Sequence, residues 1–206
     1  FFLRANNELY QSVKSSLISF TYFNIFQNLG NQWNTLRKLK PHIVVAQPSV
    51  LIRLIALSKE EFCPWHVEKV ISVAEVLTES DQRDIELWFG IAIDQVYQCT
   101  EGFLAHTCSQ GSLHWNSDFI HVEKQWLNEK QYKPVITDYK RRTQPIVRYS
   151  MNDIITQGTC NCGLKSEVIE KIDGRSDDAF TFEGKQGEIT IFPDYIRRTI
   201  AFSDES

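Results

Sequence analysis

No stretch of this chain approaches the ~20 consecutive apolar residues that a membrane-spanning helix needs, so no membrane partner is expected. Nor is there a basic patch larger than Lys140-Arg141-Arg142. With 22 basic against 26 acidic residues the formal charge is -4. A protein that binds nucleic acid through its phosphates needs the opposite balance, so no nucleic-acid partner is expected and the triplet reads as a solvated loop. Cysteine is present without an even set. Cys63, Cys99, Cys108, Cys160 and Cys162 number five, which argues against a disulfide framework and for a reducing compartment, with the cytoplasm as the expected address. Internal repeats and low-complexity segments are missing too. No signal-peptide pattern is visible, and the N-terminus is uninformative on that point. The chain starts at Phe1 rather than Met and its motifs begin in mid-sequence, so it reads as a piece of a longer protein.

What is present suffices for one sizeable core, or one domain and part of another: 206 residues, 42% hydrophobic and 12% aromatic. Apolar positions at three-to-four spacing predict helices over 9–17 and 35–39. Lys40-Pro41 stops the second, and 42–46 reads as a buried strand. Ser49 is a good N-cap for a helix over 50–57. A strand over 67–73, a helix over 81–89 ended by Gly90, and a strand from Ile91 to Tyr97 follow. This alternation is the signature of parallel βαβ units. After Glu101 the texture changes to short alternating strands, over 114–122, 133–138, 146–149, 154–155 and 168–172. They predict an antiparallel, partly barrel-like subdomain. Residues 174–178 read as a linker.

The strand ending at Tyr97 runs into Gln98-Cys99-Thr100-Glu101-Gly102. It thus ends in an aromatic that can stack on a base, a hydroxyl that can donate to a phosphate, and a carboxylate that can hold magnesium, a hard cation with a preference for oxygen. Open α/β sheets bind ligands at the carboxyl ends of their strands. A strand followed by a plain turn explains the same hexapeptide.

A second constellation suggests a metal. Cys108 and His114 are separated by five residues, and Cys160-Asn161-Cys162-Gly163 begins 46 positions after His114. Three thiols and an imidazole suit a closed, tetrahedral structural zinc site. His106, two residues before Cys108, is a rival ligand. Unrelated buried thiols are the plainer explanation, and His121, Cys63 and Cys99 read as ordinary packed or surface residues.

Three segments in order carry a family resemblance: Tyr97-Gln98-Cys99-Thr100-Glu101, then Arg148-Tyr149-Ser150-Met151-Asn152-Asp153, then Gly174-Arg175-Ser176-Asp177-Asp178. Together they resemble the adenylate-forming, acyl-CoA ligase-like superfamily, above all the phenylacetate-CoA ligase branch and the deazaflavin-coenzyme adenylating synthetases. The likeness runs from Phe1 to the Pro193-Asp194 region. It implies the fold class: α/β, a parallel βαβ subdomain followed by an antiparallel β-rich subdomain, part of the large N-terminal domain of an adenylate-forming enzyme. The implied division is 1–102 for the parallel subdomain with adenine-binding strand ends, and 103–173 for the β-rich subdomain with the zinc site. Residues 174–206 would hold a hinge at Asp177 and the truncated start of a small C-terminal domain.

The resemblance also implies roles. Tyr97 would lie against adenine, with Ala74 and Glu75 of the Ser72-Val73-Ala74-Glu75 loop beside it. Thr100 would contact the α-phosphate and Glu101 would hold Mg2+, these two being the catalytic pair. Asp153 would accept hydrogen bonds from the ribose hydroxyls, and Arg175 would contact ribose or phosphate. Relatives of the phenylacetate-CoA ligase branch show a similar Cys, His and Cys-x-Cys-Gly set, implying structural Zn2+ on Cys108, His114, Cys160 and Cys162. The implied activity is ATP-dependent, AMP-forming activation of a small-molecule carboxylic acid, aromatic or heterocyclic, as an acyl-adenylate. Onward transfer to coenzyme A and homodimer formation are both left open. Phe103 and Trp115 are candidates for lining a flat acid pocket.

The chain departs from the family in places. Where many relatives carry Tyr-Arg-Thr-Gly-Asp it has Tyr149-Ser150-Met151-Asn152-Asp153. The Gly- and Ser/Thr-rich phosphate loop and a matching catalytic lysine are not among the 206 residues. These 206 residues alone are therefore expected to be inactive. The rival reading is a non-catalytic, zinc-braced nucleotide- or partner-binding domain derived from such enzymes.

Overall fold

The computed structural model describes residues 1–3, 14–178, 180–184 and 187–191. It divides into two units, Phe1–Gln98 and Cys99–Ser206. Among the described residues no helix is long and apolar enough to cross a membrane.

The first unit opens with a short parallel pair, β1 (Phe2–Leu3) and β2 (Phe23–Asn24). Then follow α1 (Leu29–Leu39), β3 (Ile43–Ala46), α2 (Pro48–Ser58), β4 (Lys69–Val73), α3 (Glu79–Phe89) and β5 (Ile93–Cys99). Strands β3, β4 and β5 are parallel neighbours, with Val44 opposite Val70 and Val70 opposite Ile93. The sequence specifies the helix ends. Asn28 caps α1 by accepting from the Asn31 amide, and Thr78 caps α3 by accepting from Asp81. Gly90 ends α3 in the left-handed conformation, φ 71°. The core gathers Leu51, Leu54, Val44, Val70 and Ile85 with Trp33 and Trp88, whose rings meet 5.9 Å apart.

Three expectations change here. The helix expected over 9–17 falls largely outside the described residues. Its described part, 14–17, is not helical, because the Ser15 hydroxyl takes the amides of Leu17 and Ile18 into a local turn. Helix α1 begins six residues before the expected position 35, at Leu29, where Asn28 caps it. Ser49 is not an N-cap: Gln47 holds that position and Pro48 is the first helical residue. Proline's fixed φ and missing N–H suit the first turn, so the helix starts two residues earlier than a Ser49 cap would place it.

The second unit is antiparallel. Its strands are β6 (Gly102–Thr107), β7 (Leu113–Trp115), β8 (Ile120–Trp126), β9 (Gln131–Asp138), β10 (Tyr149–Ser150), β11 (Asp153–Gly158) and β12 (Val168–Arg175). A hairpin of β13 (Phe180–Gly184) and β14 (Gly187–Ile191) follows a single turn at Ser176–Asp178. The order runs β10-β9-β11-β12-β7-β6, with β8 also on β9. The strand expected over 114–122 is two strands, because Asn116 folds the chain through a turn in which its carbonyl accepts from Phe119 and Ile120. The linker expected from Gly174 begins later. Gly174 and Arg175 are still strand, opposite Ile154 and Asp153. Trp115 is core, 1% exposed, its indole donating to Tyr132 Oη at 2.8 Å, so it lines no acid pocket. Phe103 is exposed.

Candidate functional site

Glu101 sits in the tight turn between β5 and β6. Gly102, φ 153°, makes that turn possible: a side chain there would be strained, and its Cβ would lie 3.5 Å from Asp138 Oδ2. The Glu101 carboxylate accepts hydrogen bonds from the Cys99 thiol and the Tyr149 hydroxyl, and the Arg141 guanidinium adds a favourable field. These contacts, the thiol's first, outweigh partial burial and hold Glu101 below the usual carboxylate range. Burial, and then Glu101 itself, pushes the Cys99 thiol up to about 12, so the sulfur keeps its proton and remains a donor. Tyr149 is likewise pushed up, by its bond to Glu101 first. Arg141 Nη1 donates to the Thr100 carbonyl at 2.8 Å. A carboxylate held in its ionised form at neutral pH can take a hard cation.

Arg175 is felt at Tyr149, whose hydroxyl it pulls the other way. It lies opposite Asp153 in the β11–β12 ladder and 3.6 Å from Asp177. Asn152 donates to Asp177 at 2.5 Å, and the Ser176 amide donates to the Asn152 carbonyl at 2.7 Å, fastening the turn after β12 to the start of β11. The second unit thus brings Thr100, Glu101, Asp153 and Arg175 into one neighbourhood, with Tyr149 as the link. Sequence reasoning missed Cys99, Arg141 and Tyr149 as members. Tyr149 carried a signal, since it stands within the Arg148–Asp153 motif.

In the first unit Ala74 follows β4 with φ 63°, the left-handed region, which costs a non-glycine residue ~1–2 kcal/mol. Glu75 beside it accepts from the Ser49 amide at 3.2 Å and the Ser49 hydroxyl at 3.0 Å, supplying the anion that the N-terminus of α2 favours. Both residues are exposed. Tyr97 is half-buried in β5 and engaged in contacts of its own.

The four sulfur and nitrogen candidates converge. The ligand atoms of Cys108, His114, Cys160 and Cys162 all lie within 4.8 Å of one another. Cys108 Sγ and Cys160 Sγ are 3.8 Å apart, and Cys162 Sγ is 3.4 Å from His114 Nε2. Zinc–sulfur bonds of ~2.3 Å at tetrahedral angles put two sulfurs about 3.8 Å apart, and a sulfur and an imidazole nitrogen about 3.6 Å apart. The quartet therefore fits a tetrahedral ion. His114 Nδ1–H donates to the Ser166 carbonyl at 2.9 Å, which leaves the Nε2 lone pair facing the sulfurs. Contacts with Ser112 first and then with His114 bring the Cys160 thiol down to about 6. His106, opposite His114 across β6 and β7, is not in the quartet. Strand β6 has Glu101 before its first residue and Cys108 after its last, and six strand residues span about 20 Å. The quartet therefore stands at the far end of β6 from Glu101.

No family model matches the chain, and no curated protein matches it. Solved structures do. A 2-hydroxyisobutyryl-CoA ligase, crystallised in the postadenylation state with R3-HIB-AMP, superposes with a TM-score of 0.69 and 20% identity over 85% of this chain and 40% of that one. The anthranilate CoA ligase AuaEII, in complex with anthranoyl-AMP, gives 0.60 and 14% over 84% and 36%. O-succinylbenzoate coenzyme A synthetase (MenE) from Bacillus subtilis gives 0.58 and 10% over 84% and 41%. This chain has the mixed α/β fold found in the N-terminal domain of adenylate-forming ligases, and it spans less than half the length of these structures.

Proposed function

We propose that this chain is part of an ATP-dependent, AMP-forming ligase that activates a carboxylic acid as its acyl-adenylate. The observation that carries the reading is the Thr100–Glu101 turn, where an ionised carboxylate, a guanidinium and a phenol converge on a fold shared with acyl-CoA ligases. In the reaction a carboxylate oxygen of the acid attacks the α-phosphorus of ATP and pyrophosphate leaves. Such chemistry asks a protein for position and charge neutralisation rather than covalent help.

Each side chain has a task in this reading. Glu101 holds Mg2+, which would neutralise phosphate charge. Thr100 meets the α-phosphate. Asp153 accepts from the ribose hydroxyls and Arg175 contacts ribose or phosphate. Tyr97, Ala74 and Glu75 serve adenine. Zn2+ on Cys108, His114, Cys160 and Cys162 ties the β6–β7 turn to the β11–β12 turn. The acid is aromatic or heterocyclic, coenzyme A is the acceptor in a second step, and the protein works in the cytoplasm. Residues 1–102 and 103–173 form the two subdomains, and 174–206 the hinge and the first part of a small C-terminal domain. The 206 residues alone lack a phosphate loop and a catalytic lysine and turn over no substrate.

The test is carboxylate-dependent ATP–pyrophosphate exchange by the complete protein, across aryl, fatty and heterocyclic acids. Exchange with one acid class, lost in Glu101→Gln, supports the reading. A protein that holds zinc but neither binds ATP nor catalyses exchange is the zinc-braced binding domain instead.

A further inference from the structure

We infer that Arg141 binds a phosphate group of the nucleotide beside Thr100 and Glu101, an inference that rests on the adenylation reading. Lys140-Arg141-Arg142 has the look of an ordinary solvated loop, and two of its three residues behave as one: Lys140 and Arg142 are exposed. Arg141 is half-buried and differently held. At the end of β9, Asp138 Oδ1 accepts from the amides of Lys140 at 2.8 Å and Arg141 at 2.9 Å. This closed turn fixes the direction in which residue 141 leaves the strand. Arg141 Nη1 then donates to the Thr100 carbonyl at 2.8 Å, across 41 residues of sequence.

That anchorage uses one of five guanidinium N–H donors and leaves the rest of the planar fork available for a second acceptor. Arg141 acts on Glu101 through space, while the carboxylate takes its own hydrogen bonds from Cys99 and Tyr149. Once a divalent cation sits on that carboxylate, the cation and the guanidinium beside it together favour an anion between them, and a phosphate meets both. The segment Tyr149-Ser150-Met151-Asn152-Asp153 contributes no cation, whereas Arg141 is hydrogen-bonded to the Thr100–Glu101 turn itself.

The test measures dissociation constants of the complete protein for adenosine, AMP, Mg-ATP and inorganic pyrophosphate, in wild type, Arg141→Ala, Arg141→Lys and Arg142→Ala. A charged hydrogen bond to phosphate predicts that Arg141→Ala weakens AMP and Mg-ATP by about tenfold to a hundredfold and leaves adenosine within about twofold. Arg141→Lys, which keeps the charge and loses the fork, falls between. Arg142→Ala stays within about twofold of wild type for every ligand. Should Arg141→Ala fail to fold, Arg141→Lys and Arg141→Gln carry the comparison. Wild-type affinity for AMP and Mg-ATP in the Arg141 variants overturns the inference and leaves the adenylation reading standing. Equal losses in the Arg141 and Arg142 variants overturn it too, since a diffuse field would then explain them. Wild-type protein that binds pyrophosphate through Arg141 but neither adenosine nor AMP keeps the anion contact and removes the adenylation reading. Wild-type protein that binds none of the four ends both.

Discussion

Tyr149 donates a hydrogen bond to the Glu101 carboxylate, although β10 and β6 stand at opposite ends of the antiparallel strand order. The sheet of the second unit therefore curls until its two ends meet, and they meet at the candidate site. Asp138, at the end of β9, lies against Gly102 in the same seam. Curvature in this unit positions a carboxylate, and the same seam brings Arg141 to Thr100.

The bond has a pH signature. The Cys99 thiol first, then the Tyr149 hydroxyl and the Arg141 field, hold Glu101 below the ordinary glutamate value of about 4.3. A carboxyl depressed in the folded state adds stability that is complete above its unfolded pKa and is lost as pH falls through the folded one. Glu101 thus stabilises the unit at neutral pH and ceases to do so in acid. In Tyr149→Phe the Glu101 titration should move up toward the ordinary range, read by carboxyl-carbon NMR. An unmoved midpoint would mean the phenol contributes nothing to holding the charge.

Metal removal should act on the frame and not on the chemistry directly. The purified protein is expected to carry one equivalent of zinc by elemental analysis, and Cys108→Ser or His114→Ala to lose it. Chelation should lower Tm, because ligand geometry of this kind rarely persists in an unfolded chain and metal binding then adds to folding free energy. Ser166 meets His114 Nδ1 with its carbonyl at 2.9 Å and its hydroxyl at 3.2 Å, and the carbonyl survives in Ser166→Ala, which should keep the metal. Stoichiometric zinc in His114→Ala would point to another fourth ligand, with His106 across the ladder the first to examine.

Helix ends offer a stability test remote from any site. Lys59 closes α2 in the left-handed conformation, φ 55°, where glycine carries no Cβ penalty. Lys59→Gly should raise stability by about 0.5–1 kcal/mol after the added freedom of the unfolded chain is subtracted. Denaturant melts of the two proteins decide it, and a destabilised Lys59→Gly would show that the lysine stem packs against something of value.

Local signals carried the parallel half of the fold. Thr78 and Gly90 bound α3 because capping chemistry is written within a few residues, and β3, β4 and β5 are legible from short apolar clusters whose alternate residues, Val44 and Ala46, Val70 and Ser72, and Ile93, are buried. The metal quartet was legible for another reason: thiol and imidazole are rare enough to be noticed across 52 residues. What escaped depends on distant closure. Arg141 is indistinguishable in sequence from Lys140 and Arg142, and only the curl that brings β9 to the Thr100 turn separates them. Cys99 looked like a packed thiol because nothing in a sequence says that a side chain two positions from Glu101 will turn back on it. Strand β6 carries no clear local signal, since Gly102-Phe103-Leu104-Ala105-His106 alternates poorly.

Glu75 distinguishes a cap from a ligand contact. Its carboxylate takes the Ser49 amide and hydroxyl at the start of α2 and holds down the loop in which Ala74 adopts φ 63°. If that anchorage is its task, Glu75→Gln keeps an acceptor, loses the charge–dipole attraction and costs about 0.3–1 kcal/mol, while Glu75→Ala leaves the Ser49 amide without its partner and costs about 1–2 kcal/mol. Ser49→Ala removes one of the two bonds and should fall between them. Adenosine affinity separates the roles. An anchor changes it in parallel with stability across all three variants, since each loosens the Ala74 turn to a different degree. A direct contact with adenine makes Glu75→Gln and Glu75→Ala weak binders while Ser49→Ala, which leaves the carboxylate in place, binds like wild type.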